Sequence, residues 1–208
     1  MIGLYAVAIG APRQALGAQG EPLRIIASGD LEAVCGDSPP PVSAEALRAH
    51  EAAVRRIADE AQACLPARFG AAAADERAIL GALGAREQEL REALELVRGR
   101  EQMNLRVHGA VAAPAAEGGR GTRYLEERRR AIRLPELDPL RSSLSAVIRA
   151  ERVEPHEQVG LIASVYHLID RGASADYRRT VETTTLDGLR VSLSGPWPPW
   201  SFAPELSP

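Results

Sequence analysis

Histidine and carboxylate pairs are the first place to look for acid–base or metal chemistry, and this chain offers two: His50-Glu51 and His156-Glu157. Adjacent residues on a helix do not face each other, so neither pair forms a bidentate site alone. His50 lies on an apolar stripe between Leu47 and Val54, which suits a core histidine with a hydrogen-bond partner better than a ligand. His167 lies in the middle of a long apolar segment and reads the same way. There is no His-Glu-x-x-His pair, no Gly-x-Ser-x-Gly elbow and no Cys-x-x-Cys; Cys35 and Cys64 stand far apart. All 25 basic residues are arginine. Without lysine there is no Schiff base to pyridoxal phosphate, no Walker-A lysine and no biotinyl-lysine. An enzyme built on this chain would have to draw its acid–base group from His50, His156 or His167, a reading that rests only on the presence of titratable residues. We therefore expect no catalytic residues, no cofactor, no metal and no small-molecule substrate.

Two further clusters could bind phosphate or nucleic acid. Gly118-Gly119-Arg120-Gly121-Thr122 opens a predicted helix, and a glycine-rich helix start can hold an anion. Its spacing matches no nucleotide fingerprint, so it reads as a flexible loop. Arg128-Arg129-Arg130 with Arg133 follows Glu126-Glu127 and has no interleaved aromatics, the pattern of a solvated helix face. The net charge of −3 and a pI near 5.9 also argue against nucleic acid. No apolar run approaches the roughly 20 residues of a membrane span, and the N-terminus lacks a basic leader. The expectation is a cytoplasmic chain with no membrane contact.

One segment stands apart. Aromatics make up 4% of the chain, yet Trp197, Trp200 and Phe202 fall together among Pro196, Pro198 and Pro199. A proline-rich segment is pre-stiffened and loses little entropy on docking, and tryptophan is enriched in binding hot spots. The segment either docks a partner or folds back to seal an open face of its own sheet, and the two readings are compatible.

The elements that must position these residues follow from periodicity. With 208 residues, at roughly 100–200 per domain, the chain holds one or two domains. Residues 2–9 form an apolar run suited to a buried strand. Leu23–Ala27 and Leu31–Val34, split by Ser28-Gly29-Asp30, predict a hairpin. Ser43 caps a helix in which Val42 staples onto Leu47, with a stripe Leu47, Val54, Ile57, Ala61, Leu65. Leu65–Phe69 reads as a short strand. Asp75 caps a second helix running to Gly99 along Ile79, Leu83, Leu90, Leu94 and Val97.

In the second half, Met103, Leu105 and Val107 alternate with polar residues as a half-buried strand. A loop over 110–121 leads to a third helix starting at Thr122. Asp138-Pro139 opens a fourth, with Leu140, Leu144, Val147 and Ile148 inward. A short polar segment around Val153 precedes a central strand from Val159 to Ile169. A helix over Gly172–Thr183 turns Tyr177 and Val181 inward, and a last strand carries Leu189, Val191 and Leu193 until the prolines end the ladder. The order in the second half suits a ferredoxin-like split βαβ unit, and the first half reads as a separate α+β layer.

Several stretches in order resemble one family. Leu4-Tyr5-Ala6-Val7, Gly29-Asp30-Leu31-Glu32-Ala33-Val34 and His50-Glu51 followed by Val54 are similar to its first strand, its strand after the turn and its His-Glu helix. Leu65-Pro66-Ala67-Arg68-Phe69-Gly70 is similar to its Leu-Pro-x-Arg-Phe-Gly signature. Gly121-Thr122-Arg123-Tyr124-Leu125 with Arg128 resembles its Gly-x-x-Tyr-Leu-x-x-Arg helix start. Gly195-Pro196-Trp197-Pro198-Pro199-Trp200-Ser201-Phe202 resembles its C-terminal motif, with Trp200 in place of the usual tyrosine. The family is that of gas vesicle proteins L and F, GvpL/GvpF.

The resemblance implies an α+β fold in two domains. These are an N-terminal α+β domain over 1–98 and a modified ferredoxin-like domain over 99–195, followed by a Pro/Trp-rich tail over 196–208. It implies an accessory or minor component of gas vesicle assembly, located in the cytoplasm or on the vesicle. Such a component would bind the hydrophobic shell protein and limit its aggregation during nucleation. The competing expectation is a scaffold that binds other gas vesicle accessory proteins and never touches the shell subunit. The interaction candidates are Pro196, Trp197, Pro198, Pro199, Trp200 and Phe202. The structural motif residues are His50, Glu51, Pro66, Arg68, Phe69, Gly70, Tyr124, Leu125 and Arg128. Among these, Phe69 is expected in the core, and Arg68 partly buried with a carboxylate partner.

Overall fold

Strand β1 (Ile2–Ile9) is buried along nearly its whole length, which makes it the centre of the first sheet. The computed structural model describes residues 1–109, 133–156 and 160–206. It divides into two compact units: Met1–Glu101 with Trp197–Pro208, and Gln102–Pro196. The tail, expected as a segment of its own from residue 196, groups with the first unit from Trp197 onward.

In the first unit, β2 (Arg24–Ser28), β3 (Leu31–Gly36), β1 and β4 (Ala63–Pro66) pair in that order, and the short β5 (Ala72–Ala73) also pairs with β1. All these pairings are antiparallel. The β2–β3 hairpin closes on Gly29-Asp30, with Ser28 opposite Leu31. Gly29 has φ 64 at the first turn position, where a two-residue hairpin of this kind favours glycine. The β1–β3 register shifts between Leu4 and Ala6. This bulge lets both Tyr5 and Ala6 join the cluster under helix α1 (Ala44–Glu60), together with Ala8, Val34, Val54 and Ile57. On the other face, Leu4 and Ala33 meet Ile79 and Leu83 of α2 (Glu76–Ala85) and Leu90 of α3 (Glu87–Val97). The first unit is thus helix, sheet, helix pair.

Three local expectations change. Ser43 does cap α1, its Oγ accepting from the Ala46 amide at 3.0 Å. The staple does not form, because Val42 is 95% exposed and Leu47 40% exposed. Helix α1 stops at Glu60, short of the end of its expected stripe, and Leu65 lies in β4 (Ala63–Pro66), a strand that begins earlier and ends sooner than the expected Leu65–Phe69. The second helix is two: Arg86 leaves helical geometry (φ −123°, ψ 21°) between α2 and α3. Gly81 and Gly84 weaken the end of α2, while Glu87 and Glu89 favour a fresh helix start.

The second unit follows the order β-α-β-β-α-β over its described residues. Strand β6 (Arg100–Gly109) precedes a 3-10 turn (Pro135–Leu137) and helix α4 (Asp138–Leu144). Strands β7 (Ile148–Pro155) and β8 (Leu161–Asp170) come next, then helix α5 (Ser174–Thr183) and strand β9 (Leu189–Trp197). The sheet order is β7-β8-β6-β9. Its core joins Met103, Leu105 and Val107 of β6 with Leu140 and Leu144 of α4, Val165 of β8 and Tyr177 of α5. Helix α4 is shorter than expected, and Ile148 begins β7 instead of ending a helix. Strand β9 runs on through Pro196, where the chain was expected to leave the sheet. As the outermost strand of its sheet, β9 tolerates a residue that cannot donate to the ladder. The expected loop over 110–121 and the helix start at Thr122 lie outside the described residues.

Candidate interaction site

Beyond β9 the tail makes a tight turn and packs on the first unit. The amide of Trp200 donates to the Pro198 carbonyl at 2.7 Å, and those of Phe202 and Ala203 donate to the Pro199 carbonyl at 3.0 and 3.1 Å. The prolines act only as acceptors here, so their missing N–H groups cost nothing. Pro198, Pro199 and Phe202 are buried, and Trp200 packs against the core cluster under α1. Trp197 differs: it is 37% exposed, with the Arg55 guanidinium of α1 5.0 Å from its ring centroid. Such a cation–π contact contributes about 0.5–1 kcal/mol at an exposed site. The tail motif therefore separates into residues that seal the first unit and one tryptophan that faces outward.

Past the motif, the Glu205 carboxylate pairs with Arg68 at 2.9 Å, and its backbone carbonyl accepts from Arg86 Nη1 at 2.5 Å. Leu206 is buried beside Leu4, Ile79, Leu83 and Leu90. The tail thus reaches both faces of the first sheet, with Trp200 on the α1 side and Leu206 on the α2–α3 side.

His50 sits in the same unit, stacked on Tyr5 (centroids 4.8 Å apart) and met edge-on by Phe69 at 5.6 Å. Its Nε2–H donates to the Ala67 carbonyl at 3.3 Å, and among the described residues Nδ1 has no hydrogen-bond partner. Burial pushes its pKa below the ordinary histidine value, against the opposing pull of Ala67 and Glu51. Glu51 is exposed. The Tyr5 hydroxyl donates to Glu21 at 2.7 Å and accepts from the Ala18 amide at 2.8 Å, fastening the loop between β1 and β2. Burial chiefly pushes that phenol up to about 12. Pro66 ends β4 in the core, but Phe69 is only half-buried where the core was expected, and Arg68 is exposed where partial burial was expected, although it keeps the expected carboxylate partner in Glu205. The chain leaves the sheet after Pro66 and turns at Gly70 (φ 84), so Arg68 reaches its carboxylate partner over the surface.

The second unit holds a polar chain that is buried at His167 and Tyr177 and reaches the surface at Glu151. His167 Nε2 meets Glu151 Oε2 at 2.8 Å, and its Nδ1 meets the Tyr177 hydroxyl at 2.6 Å. Arg141 grips Glu151 at 3.0 Å, Asp138 at 3.0 Å and the Leu134 carbonyl at 2.9 Å. Burial alone would raise the Glu151 carboxyl; hydrogen bonds from His167 and Arg141 outweigh it and hold it down at about 2. Burial pushes the Tyr177 phenol far above its ordinary value. His167 is closed off from solvent, and through its partners the chain ties α4, β7, β8 and α5 together. His156 is paired with Ser164 at 2.8 Å. Among the described residues, no three His, Cys, Asp or Glu side chains gather where they could hold a metal ion, and no helix is long and apolar enough to cross a membrane.

The family model for the gas vesicle synthesis protein GvpL/GvpF matches residues 3–204. The chain belongs to the GvpL/GvpF family. Gas vesicle protein L of Streptomyces sp. (strain CB03234) is 28% identical over 232 residues, spanning 92% of this chain and 87% of that protein. The crystal structure of GvpF from Anabaena sp. PCC7120 superposes with a TM-score of 0.72 at 13% identity, covering 98% of this chain and 95% of that one. That of GvpF from Microcystis aeruginosa gives 0.74 at 14%, covering 98% of both chains. At this identity the two structures speak for the fold: mixed helix and sheet with two antiparallel sheets.

Within this GvpL/GvpF chain, the Arg68-Phe69 stretch and the tail lie in one unit and meet through the Arg68–Glu205 pair. Tyr124, Leu125 and Arg128 lie outside the described residues. Sequence reasoning missed Arg55, Arg86, Glu205 and Leu206, which complete the tail's contacts; no spacing rule links residues so far apart in the chain. It also missed Glu151 and Tyr177 as partners of His167. There a polar residue in the middle of an apolar strand was the available signal.

Proposed function

We propose that this chain is a non-enzymatic component of gas vesicle assembly that binds the hydrophobic shell protein and limits its aggregation during nucleation. The family match over nearly the whole chain carries this reading. A role in covering apolar surface needs an outward apolar anchor on a rigid frame. Trp197, held by Arg55 at the end of β9, has that character. The β-α-β-β-α-β order and the β7-β8-β6-β9 sheet of the second unit support a ferredoxin-like reading of Gln102–Pro196. The place of action is the cytoplasm and the growing vesicle, and other accessory proteins of the same assembly are expected neighbours.

The test is a light-scattering assay of shell-protein aggregation with wild type and Trp197→Ala, both checked for native melting. Trp197 is the variant to use because Trp200 packs against the core cluster under α1. Wild type should delay aggregation in proportion to its concentration, and Trp197→Ala should delay it less. No delay by wild type in excess would sink the proposal, and crosslinking only to other accessory proteins would replace it with the scaffold reading.

A further inference from the structure

We infer that the groove between α2 and α3 is a recognition site for an extended protein segment presenting a carboxylate followed by a large apolar side chain, and that Glu205-Leu206 occupies it in cis. The groove exists because the helix breaks at Arg86, so α2 and α3 splay over the sheet. Its walls are Leu4, Ala33, Ile79, Leu83 and Leu90. Leu206 enters it and is left 8% exposed. An apolar cavity of about 30 Å³ remains beside Leu206, so a side chain larger than leucine fits.

The rim adds two readings of the bound segment. Arg86 is held in place by Glu89 through two hydrogen bonds of 2.8 and 2.9 Å and aims its Nη1 at the Glu205 backbone carbonyl. Arg68 pairs with the Glu205 carboxylate. One guanidinium thus reads the main chain, the other reads negative charge, and the groove reads an apolar group one residue further on. Because Glu89 neutralises Arg86, the rim's charge selectivity comes from Arg68, which favours an acidic residue over a basic one at that position. The cis occupant is held lightly: Arg68 and Glu205 are 78% and 71% exposed, so solvent screens their pair, and one side chain fills the groove incompletely. A segment from a partner with aspartate or glutamate before phenylalanine, methionine or leucine can therefore displace it. This inference concerns only the first unit and does not depend on the shell protein being the partner.

The experiment uses the full chain carrying Leu206→Asp, which ejects the cis segment, and a fluorescein-labelled peptide Ala-Pro-Glu-Leu-Ser-Pro followed by fluorescence anisotropy. The Leu206→Asp chain should bind the peptide about tenfold more tightly than wild type, whose own tail competes at high effective concentration. Phenylalanine in place of the peptide's leucine should tighten binding, and aspartate should abolish it. Arg68→Glu, added to Leu206→Asp, should weaken binding about threefold, and lysine in place of the peptide's glutamate should restore it. Should Leu206→Asp not fold, Leu206→Gly carries the same comparison. Absence of binding, equal binding to wild type, or binding indifferent to the peptide's leucine would each overturn the inference.

Discussion

His50 and His167 are both about 1% exposed, yet their surroundings have almost nothing in common. In the first unit, rings enclose His50: Tyr5 stacks on it, Phe69 meets it edge-on, and one carbonyl accepts a hydrogen bond from its Nε2–H. In the second unit, His167 is one link in a chain from Tyr177 through Glu151 to Arg141. Burial alone therefore does not say what a histidine does. A ring among rings behaves as an aromatic with one spare acceptor, whereas a ring between a hydroxyl and a carboxylate holds other groups in place. The first can be replaced by an apolar side chain of similar size; the second cannot lose a partner without stranding the rest.

The contrast breaks most visibly at Glu151. Its removal leaves Arg141 and His167 without their common acceptor in a mostly buried setting. Glu151→Ala should cost about 3 kcal/mol, the lower end of the range for breaking a buried pair, because a quarter of the side chain is exposed. Urea denaturation measures it, and a loss below about 1 kcal/mol would mean the network contributes no more than a surface pair. Tyr177→Phe is the gentler probe. It keeps the ring in the core and removes only the hydroxyl on His167 Nδ1, for about 1–2 kcal/mol. A smaller loss in Tyr177→Phe than in Glu151→Ala is the ordering that the network requires.

The same two regions show how far the residues alone reveal a fold. Where a feature is local, the reading is sound. Ser43 and Asp75 cap their helices, Gly29-Asp30 turns the hairpin, and Met103, Leu105 and Val107 face one core. Where tertiary packing competes, it fails. The heptad-like stripe of α1 ran on into Leu65 because an apolar residue at the right spacing looks the same in a strand as in a helix. The periodicity of 76–97 hid the break at Arg86, which depends on backbone geometry at one residue. Phe69, bracketed by a strand and a glycine, looked like core and is half-buried, because the chain is already turning outward. Of the tail, composition marked it as a segment that either docks a partner or seals its own sheet. It could not reveal that Trp200 meets the α1-side core while Trp197 faces out, since only the fold decides which side of a turn is covered.

The smallest expected effect is also the one that sharpens the contrast best. His50→Leu replaces a ring whose Nδ1 has no partner among the described residues with an apolar side chain, giving up one long hydrogen bond and one stacking contact. Near pH 8 the change in stability should stay within about 1 kcal/mol of zero. The difference should then move in the variant's favour as the solution is acidified. Burial lowers the folded-state pKa of His50 below its ordinary 6.5, so the unfolded chain takes up the proton first and wild type loses stability as pH falls through that value. The variant has no such proton to take up. Glu151 contributes equally to both chains: held near 2 against an ordinary 4.5, it withdraws its stabilisation only as pH falls below about 4.5. Unfolding free energies of both chains from pH 8 down to about pH 5 therefore isolate the histidine. A gap that stays constant over that range would mean His50 takes its proton as readily folded as unfolded, and the ring-enclosed site would lose its distinction from the hydrogen-bonded one.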